Sequence, residues 1–397
     1  MSGFSFNLLK ITDPSRFRLG QLIFSRNKQE KILDTPNCFV YTMRGSVPHL
    51  TPDNLQIIPV DSLGITLEHF LEAQPPTSTH FMGGIHKFLN LEDYLLFFDV
   101  RDSSKLLHIS FNTDKYVSVV TNQGCRKVTV EEYVRYMNIY NPDIFASISD
   151  LITDKNPSLK RVKKSVDRTL NWLDETLEQI KEGIHVFGVV TGHDKHEERV
   201  RSAQETANRN VAGFVLNGFD LDVTSKERLD LMKISLKHLP KNKPRVAYGL
   251  GAPEYVLLGI FEGIDIFDAS YPSEQTSLGH ALTFLLLENG IQNEQEKFID
   301  LWDNKYRTDF RPILNGCKCY ACQNHTRAYI FHLLVAHEML ATVLLMSHNL
   351  FHYLQFFKDI RKSINNNTFT NNAMQFIRAS NITDEIDIKP NFNYRNY

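Results

Sequence analysis

Cysteine is scarce in this sequence: five residues in 397, unevenly placed. Cys38 and Cys125 stand alone, whereas Cys317, Cys319 and Cys322 fall within six residues. An odd number with three in one knot excludes a regular disulfide framework and fits a reducing, cytosolic setting. Charge of one sign is also lacking. The 44 Lys and Arg against 46 Asp and Glu leave −2, so no global basic field marks a nucleic-acid binder, although a local patch remains open. The most apolar run, Leu333–Met346, is too short to span a bilayer and contains His337 and Glu338. The opening MSGFSFNLLKITDPSR has no basic segment followed by an apolar one, so no secretory signal is expected. Collagenous, coiled-coil and low-complexity biases are absent too.

What is present is core material. At 42% hydrophobic and 23% charged, the chain is not wholly disordered. Its length fits two domains or one α/β barrel with an appendage. The first part reads as short strands, at Arg18–Phe24, Cys38–Met43, Leu55–Val60, Leu95–Val100, Leu106–Phe111 and Tyr116–Val120. A helix over Val130–Asn138 and a strand at Ile144–Ile148 follow. From Pro157 the rhythm is regular: helix Lys160–Glu182, strand Val186–Val190, helix Glu197–Asn208, strand Gly213–Leu216, helix Lys226–His238, strand Arg245–Tyr248, helix Pro253–Glu262 and strand Ile264–Asp268. Consecutive βαβ units force parallel pairing with right-handed crossovers, and with the earlier strands a closed (β/α)8 barrel fits better than an open sheet. The expected organisation is a strand hairpin over 1–35, the barrel over 36–300, a metal-bearing helical insertion over 301–364 and a loose tail over 365–397 with a short helix at Asn371–Arg378.

Cys317-Lys318-Cys319-Tyr320-Ala321-Cys322, preceded by Gly316, puts three thiolates on a tight loop. Zn²⁺ takes four tetrahedral ligands, and a filled shell is structural rather than catalytic. His325, His332, His337, His348 and His352 compete for the fourth place, with His348 leading on spacing; His325 crowds the loop, and His332 and His337 fall on an apolar helix over Tyr329–Leu345 that reads as core or subunit interface. The bland alternative is three buried cysteines acting as small hydrophobes.

Barrel chemistry sits at the carboxyl ends of strands. Those ends here carry Thr191-Gly192-His193, Asn217-Gly218, Gly249-Leu250-Gly251 and Asp268. Asp268 could be a nucleophile or base, or equally an aspartate that caps a helix or braces a loop. Lys160, Arg161, Lys163, Lys164 and Arg168 could meet phosphates, although a solvated helix face explains them as well.

Several blocks resemble the tRNA-guanine transglycosylases: Gly83-Gly84-Ile85-His86-Lys87-Phe88-Leu89, Val166-Asp167-Arg168-Thr169-Leu170-Asn171-Trp172-Leu173, Phe187–Val190, Pro244–Glu254, Gly263–Asp268, the cysteine knot, Asn324–Tyr329 and His348-Asn349. Together they run from about Arg18 to Arg361. The resemblance implies an irregular (β/α)8 TIM barrel with a zinc-binding C-terminal subdomain, one structural zinc, and Cys317, Cys319, Cys322 and His348 as its ligands. In catalytic members an aspartate attacks the ribose anomeric carbon of a flipped anticodon guanine, a second carboxylate handles protons, and queuine enters in eukaryotes.

The sequence departs from that pattern at the pocket. The family's D-S-G-G-F-Q is Asp99-Val100-Arg101-Asp102-Ser103-Ser104 here, its V-Q-G-G is Val190-Thr191-Gly192-His193, and its P-T-R after the nucleophile is Pro272-Ser273-Glu274. The base-recognition aspartate aligns with Ser149 or Asp150. Asp268 matches the nucleophile but stands as a vestigial candidate. The resemblance therefore implies a non-catalytic branch, forming a heterodimer with the catalytic queuine tRNA-ribosyltransferase paralogue and holding tRNA. It further implies a cytoplasmic protein, peripheral on the mitochondrial outer membrane, and makes a homodimer of the isolated chain plausible. The alternative is an active homodimeric transglycosylase with Asp268 as nucleophile.

Overall fold

The computed structural model describes residues 3–11, 17–26, 29–102, 104, 112–121, 123–218, 225–286 and 297–379. The strand expected at Leu106–Phe111 lies outside them. The chain opens with an antiparallel sheet of β1 (Phe4–Ile11), β2 (Arg18–Arg26) and β3 (Gln29–Thr35). It then enters the barrel through β4 (Asn37–Tyr41), helix α1 (Pro52–Gln56), β5 (Ser62–Thr66), α2 (Gly84–Leu89) and β6 (Leu95–Asp99). A hairpin of β7 (Val117–Thr121) and β8 (Gly124–Val128) interrupts before α3 (Val130–Tyr140) and β9 (Ile144–Ala146).

Regular alternation follows: α4 (Leu159–Gln179), β10 (His185–Val190), α5 (His196–Ala207), β11 (Gly213–Leu216), α6 (Ser225–Lys237), β12 (Arg245–Ala247), α7 (Pro253–Glu262) and β13 (Ile266–Ala269). The parallel strands close in the order β10-β11-β12-β13-β4-β5-β6-β9. The (β/α)8 barrel expected from the alternation is therefore the architecture found.

Inside the barrel, apolar residues of every strand but β5 meet. Phe39 and Phe97 stack with centroids 4.5 Å apart, and Phe187 lies edge-on to Phe97. Room for Phe187 comes from Gly213 on the neighbouring strand, where a Cβ would sit 2.6 Å from the Phe187 ring. Leu22, Phe24 and Leu33 of the N-terminal sheet join this cluster, so the sheet plugs the amino-terminal end of the barrel and leaves the other end for chemistry. Arg18 fastens the plug: Nε donates to Asp265 Oδ1 at 2.7 Å, with both side chains buried.

After β13 come α8 (Tyr271–Ser277), β14 (His280–Leu282) and β15 (Phe298–Asp300), then α9 (Tyr320–Asn324), α10 (Arg327–Val335), α11 (Met339–Asn365) and α12 (Phe369–Ala379). The short helix expected at 371–378 is α12. Its Phe369 packs on Phe17 and Phe261, and the tail beyond, 380–397, lies outside the described residues.

Two local expectations fail. The strand expected over Leu55–Val60 is instead α1 and a turn, with the strand at Ser62–Thr66; Pro52 at the first helical position and Asp53 in the first turn start a helix there. The single apolar helix expected over Tyr329–Leu345 is two. The chain turns at Ala336-His337-Glu338, where His337 takes φ 55, and an apolar pattern alone does not disclose such a corner.

Candidate functional site

At the carboxyl-terminal mouth, Asp268 on β13 is 5% exposed. Its Oδ1 accepts the N–H of Gly249 at 3.1 Å and its Oδ2 the Ser270 hydroxyl at 2.9 Å. Burial pushes its carboxyl up to about 6 against these bonds. Asp99, at the end of β6, is likewise pushed up to about 6 by burial, partly offset by the Val100 N–H at 2.6 Å and the Tyr248 phenol. The neighbours Tyr248 and Gly249 thus tie the two carboxylates together. Glu274, in the first turn of α8, is pushed up to about 7 by burial, with Asp268 and Asp102 adding to the rise. Arg101 offsets part of the charge on Asp99, whereas Asp268 and Asp102 add negative charge beside Glu274, which disfavours a phosphate approaching that side.

The opposite side of the mouth is occupied by the chain's own side chains. Arg101 is drawn inward, within electrostatic reach of Asp150 and Asp99, and donates to Asn112 Oδ1 at 3.4 Å and the Ser118 carbonyl at 3.2 Å. Asp150, left ambiguous against Ser149 by the sequence, is the buried acid here, fully enclosed. Arg161 contacts both its oxygens at 2.8 Å, Arg168 adds a bond at 3.0 Å and Asn112 one at 2.7 Å. Burial would raise this carboxyl, but the guanidinium bonds outweigh it and hold it below its usual range. Thr191 and Gly192 close the space at the end of β10. Gly192 has φ 130, and a Cβ there would lie 2.6 Å from the Arg199 backbone nitrogen, so α5 starts as near the strand as backbone allows. Between Asp150, Thr191, Gly192, Asn217 and Gly218 a cavity of about 20 Å³ remains, room for roughly one water.

The loop that begins at Asp99 is anchored by Asp102. Its Oδ2 meets His69 Nε2 and the Tyr41 hydroxyl, each at 2.9 Å, and its Oδ1 accepts from the Ser104 hydroxyl and N–H at 2.7 and 2.9 Å. Burial opposes ionisation, but the His69 and Ser104 bonds prevail and bring the carboxyl down to about 2. Residue reading did not foresee this anchor, because its partners come from three strand ends.

The second site lies in the C-terminal region. The Sγ atoms of Cys317, Cys319 and Cys322 and Nδ1 of His348 all fall within 4.8 Å of one another. The three sulfurs are 3.9, 3.4 and 3.4 Å from that nitrogen. Tetrahedral coordination with ordinary metal–sulfur and metal–nitrogen bonds spaces such donors by about 3.6 Å, so the set fits a four-coordinate metal. His348 Nε2 donates to the Leu282 carbonyl at 2.8 Å, which leaves Nδ1 bare for the cluster. Asn349 braces the same segment by accepting the Leu282 N–H at 2.8 Å and donating to the His280 carbonyl at 2.9 Å. Of the competing histidines, His352 bonds the Phe284 carbonyl at 2.7 Å, His325 stacks on Tyr329, and His332 and His337 are exposed. A metal held by three thiolates and an imidazole here would have a closed shell with no open position for chemistry and would clasp α9 to α11, with β14 tied in through Leu282.

An eight-stranded parallel barrel with a strand-end aspartate and a Cys3His clasp on its C-terminal helices defines a TIM-barrel protein with a closed metal subdomain. The family model for queuine tRNA-ribosyltransferase matches residues 13–381. Relatives from Xenopus tropicalis (38% identical over 387 residues) and Homo sapiens (36% over 386 residues) each cover 87% of this chain and 93% of their own. One from Trichoplax adhaerens is 35% identical over 369 residues, covering 88% and 93%. All three are called queuine tRNA-ribosyltransferase accessory subunit 2. The chain belongs to the queuine tRNA-ribosyltransferase family.

Proposed function

We propose that this chain is the non-catalytic subunit of a two-chain tRNA-guanine transglycosylase, pairing with the catalytic paralogue and helping it hold tRNA while guanine is exchanged for queuine at the wobble position. One observation carries the reading. Where the family's base-reading loop would stand, Arg101 is turned inward, and the buried Asp150 is held by two arginines. A surviving aspartate without a base to act on contributes little, because positioning supplies much of the rate.

Zn²⁺ is the metal this reading assigns to Cys317, Cys319, Cys322 and His348, since three thiolates and an imidazole match its preferences. Bound there it would lend its binding energy to the fold. For the partner, the reading uses the same subdomain: Phe310 (76% exposed), Met339 (84%), Val335 and Tyr320 all present large apolar surface to solvent beside it. Among the described residues no helix is long and apolar enough to cross a membrane, so the association with the mitochondrial outer membrane in this proposal is peripheral, with the protein otherwise in the cytoplasm.

The rival reading, an active homodimer with Asp268 as nucleophile, draws on Asp99 and Asp268 both being pushed up to about 6, the environment of a proton-handling pair. Guanine exchange on tRNA, assayed with this chain alone, the paralogue alone and both together, decides between them. Exchange only when the paralogue is present, and improved by this chain, is the expected result; exchange by this chain alone sinks the proposal.

A further inference from the structure

The lysines at the start of α4, unlike Arg161 and Arg168, make none of the contacts described at the barrel mouth. Lys160, Lys163 and Lys164 are exposed. Lys164 shares Asp114 at 3.4 Å, whereas Lys160 and Lys163 have no ion-pair partner among the described residues. All three line a groove of about 660 Å³ along α4, with Asp114 on its other side. Its floor is Trp172, whose Nε1 donates to the Asp114 carbonyl at 3.2 Å. Arg168 holds the walls together through Asp114 at 2.6 Å, Asp150 at 3.0 Å and the Asn112 carbonyl at 3.1 Å. The groove is therefore built and braced.

Its acids are mostly committed elsewhere. Asp114 is held by Arg168 and Lys164, and Asp167 by Arg201 at 2.7 Å. Glu175, two turns beyond Arg168, closes the far end with a negative charge. Lys163 and Lys164 each lie one turn beyond Lys160, which places both beside it on the helix surface. The first turn of α4 also carries no acid, so the positive end of the helix adds to their field.

Position strengthens the case. Since α4 follows β9, its start lies at the carboxyl-terminal mouth, and β9 stands directly across the eight-stranded ring from β13, which carries Asp268. The mouth is thus acidic on the β13 side and basic on the α4 side. A polyanion approaching it is turned from one and drawn to the other.

We propose that the α4 groove is the track along which this chain holds a stretch of tRNA phosphate backbone, with Lys160 and Lys163 neutralising successive phosphates. The assignment rests on the accessory-subunit reading and adds to it a surface. Contacts of this kind position without reading sequence.

The test uses the two-chain complex. Lys160→Ala with Lys163→Ala is expected to weaken tRNA binding roughly tenfold near 0.15 M salt and to reduce the magnitude of the log–log salt slope by about 2. The weakening should be equal for cognate and non-cognate tRNA, with kcat at saturating tRNA unchanged. Lys160→Arg with Lys163→Arg should keep binding. Both lysines are exposed, so metal content and melting temperature report whether either variant is misfolded. Wild-type affinity and slope in the alanine variant overturn the proposal, as does lost pairing with the paralogue, which would make the groove a protein contact. The paralogue measured alone separates the two levels. If the wild-type chain adds no tRNA affinity to it, the accessory reading and the groove fall together. If it does and the alanine variant does so equally, the groove alone falls.

Discussion

Arg161 grips Asp150 with both terminal guanidinium nitrogens, each 2.8 Å from a carboxylate oxygen. Asp150, one of the two positions the family resemblance leaves open for base recognition, is therefore satisfied from within, by a residue in the first turn of the next helix. Removing Arg161 leaves Asp150 with Arg168 and Asn112, so Arg161→Ala should cost about 1–3 kcal/mol, read by chemical denaturation. It should not create guanine exchange in the isolated chain, because Arg101 still stands inward where the family carries its glycines. A variant as stable as the parent would show that the pair holds nothing.

The metal clasp predicts a larger effect. Cys319 supplies a thiolate and also accepts the Cys322 N–H at 3.3 Å, so Cys319→Ser removes a ligand and weakens the loop. Metal content by mass spectrometry should fall from one ion per chain to none, with a drop in melting temperature that a chelator reproduces in the parent. Full occupancy in the variant would refute the ligand set.

The acids at the mouth set a pH dependence. Asp99 and Asp268 are raised to about 6 and Glu274 to about 7, so between about 4 and 7 these three groups bind more protons in the folded state than in the unfolded one. Stability from these groups is greatest when they are protonated and falls as pH rises through that window. Asp268→Asn with Glu274→Gln should therefore gain on the parent by about 1–3 kcal/mol at pH 7 and by little near pH 4. Asp102, lowered to about 2, acts oppositely: its contribution is present above about 4 and is lost as pH falls toward 2. A double variant whose advantage does not grow with pH would contradict the burial of these carboxyls.

The exposed apolar surface of the metal subdomain gives a partner test. Phe310→Asp or Met339→Asp, at side chains 76% and 84% exposed, should leave folding intact and weaken pairing with the catalytic paralogue by roughly ten- to a hundredfold, measured by sedimentation or calorimetry. Unchanged pairing in both would move the interface elsewhere.

The βα alternation after Pro157 was legible because each strand is a short apolar run and each helix keeps its own period; Gly213–Leu216 and Pro253–Glu262 fall at their expected bounds. The cysteine knot was equally plain, since its ligands are local. His348 was one of five histidines until family resemblance chose it, and in the fold the bond from its Nε2 to Leu282 aims Nδ1 at the sulfurs. The corner at His337 and the helix at Pro52–Gln56 were hidden, because apolar content does not say where a chain turns. Residue identity thus determined the barrel's repeating units, the metal's chemistry and the loss of the family's glycines and amide. Only the tertiary structure decided what took their place. Arg101 follows β6, Asp150 follows β9, and Arg161 and Arg168 stand on α4; Asp150 gains its arginine partners only once barrel closure brings these elements to a single rim.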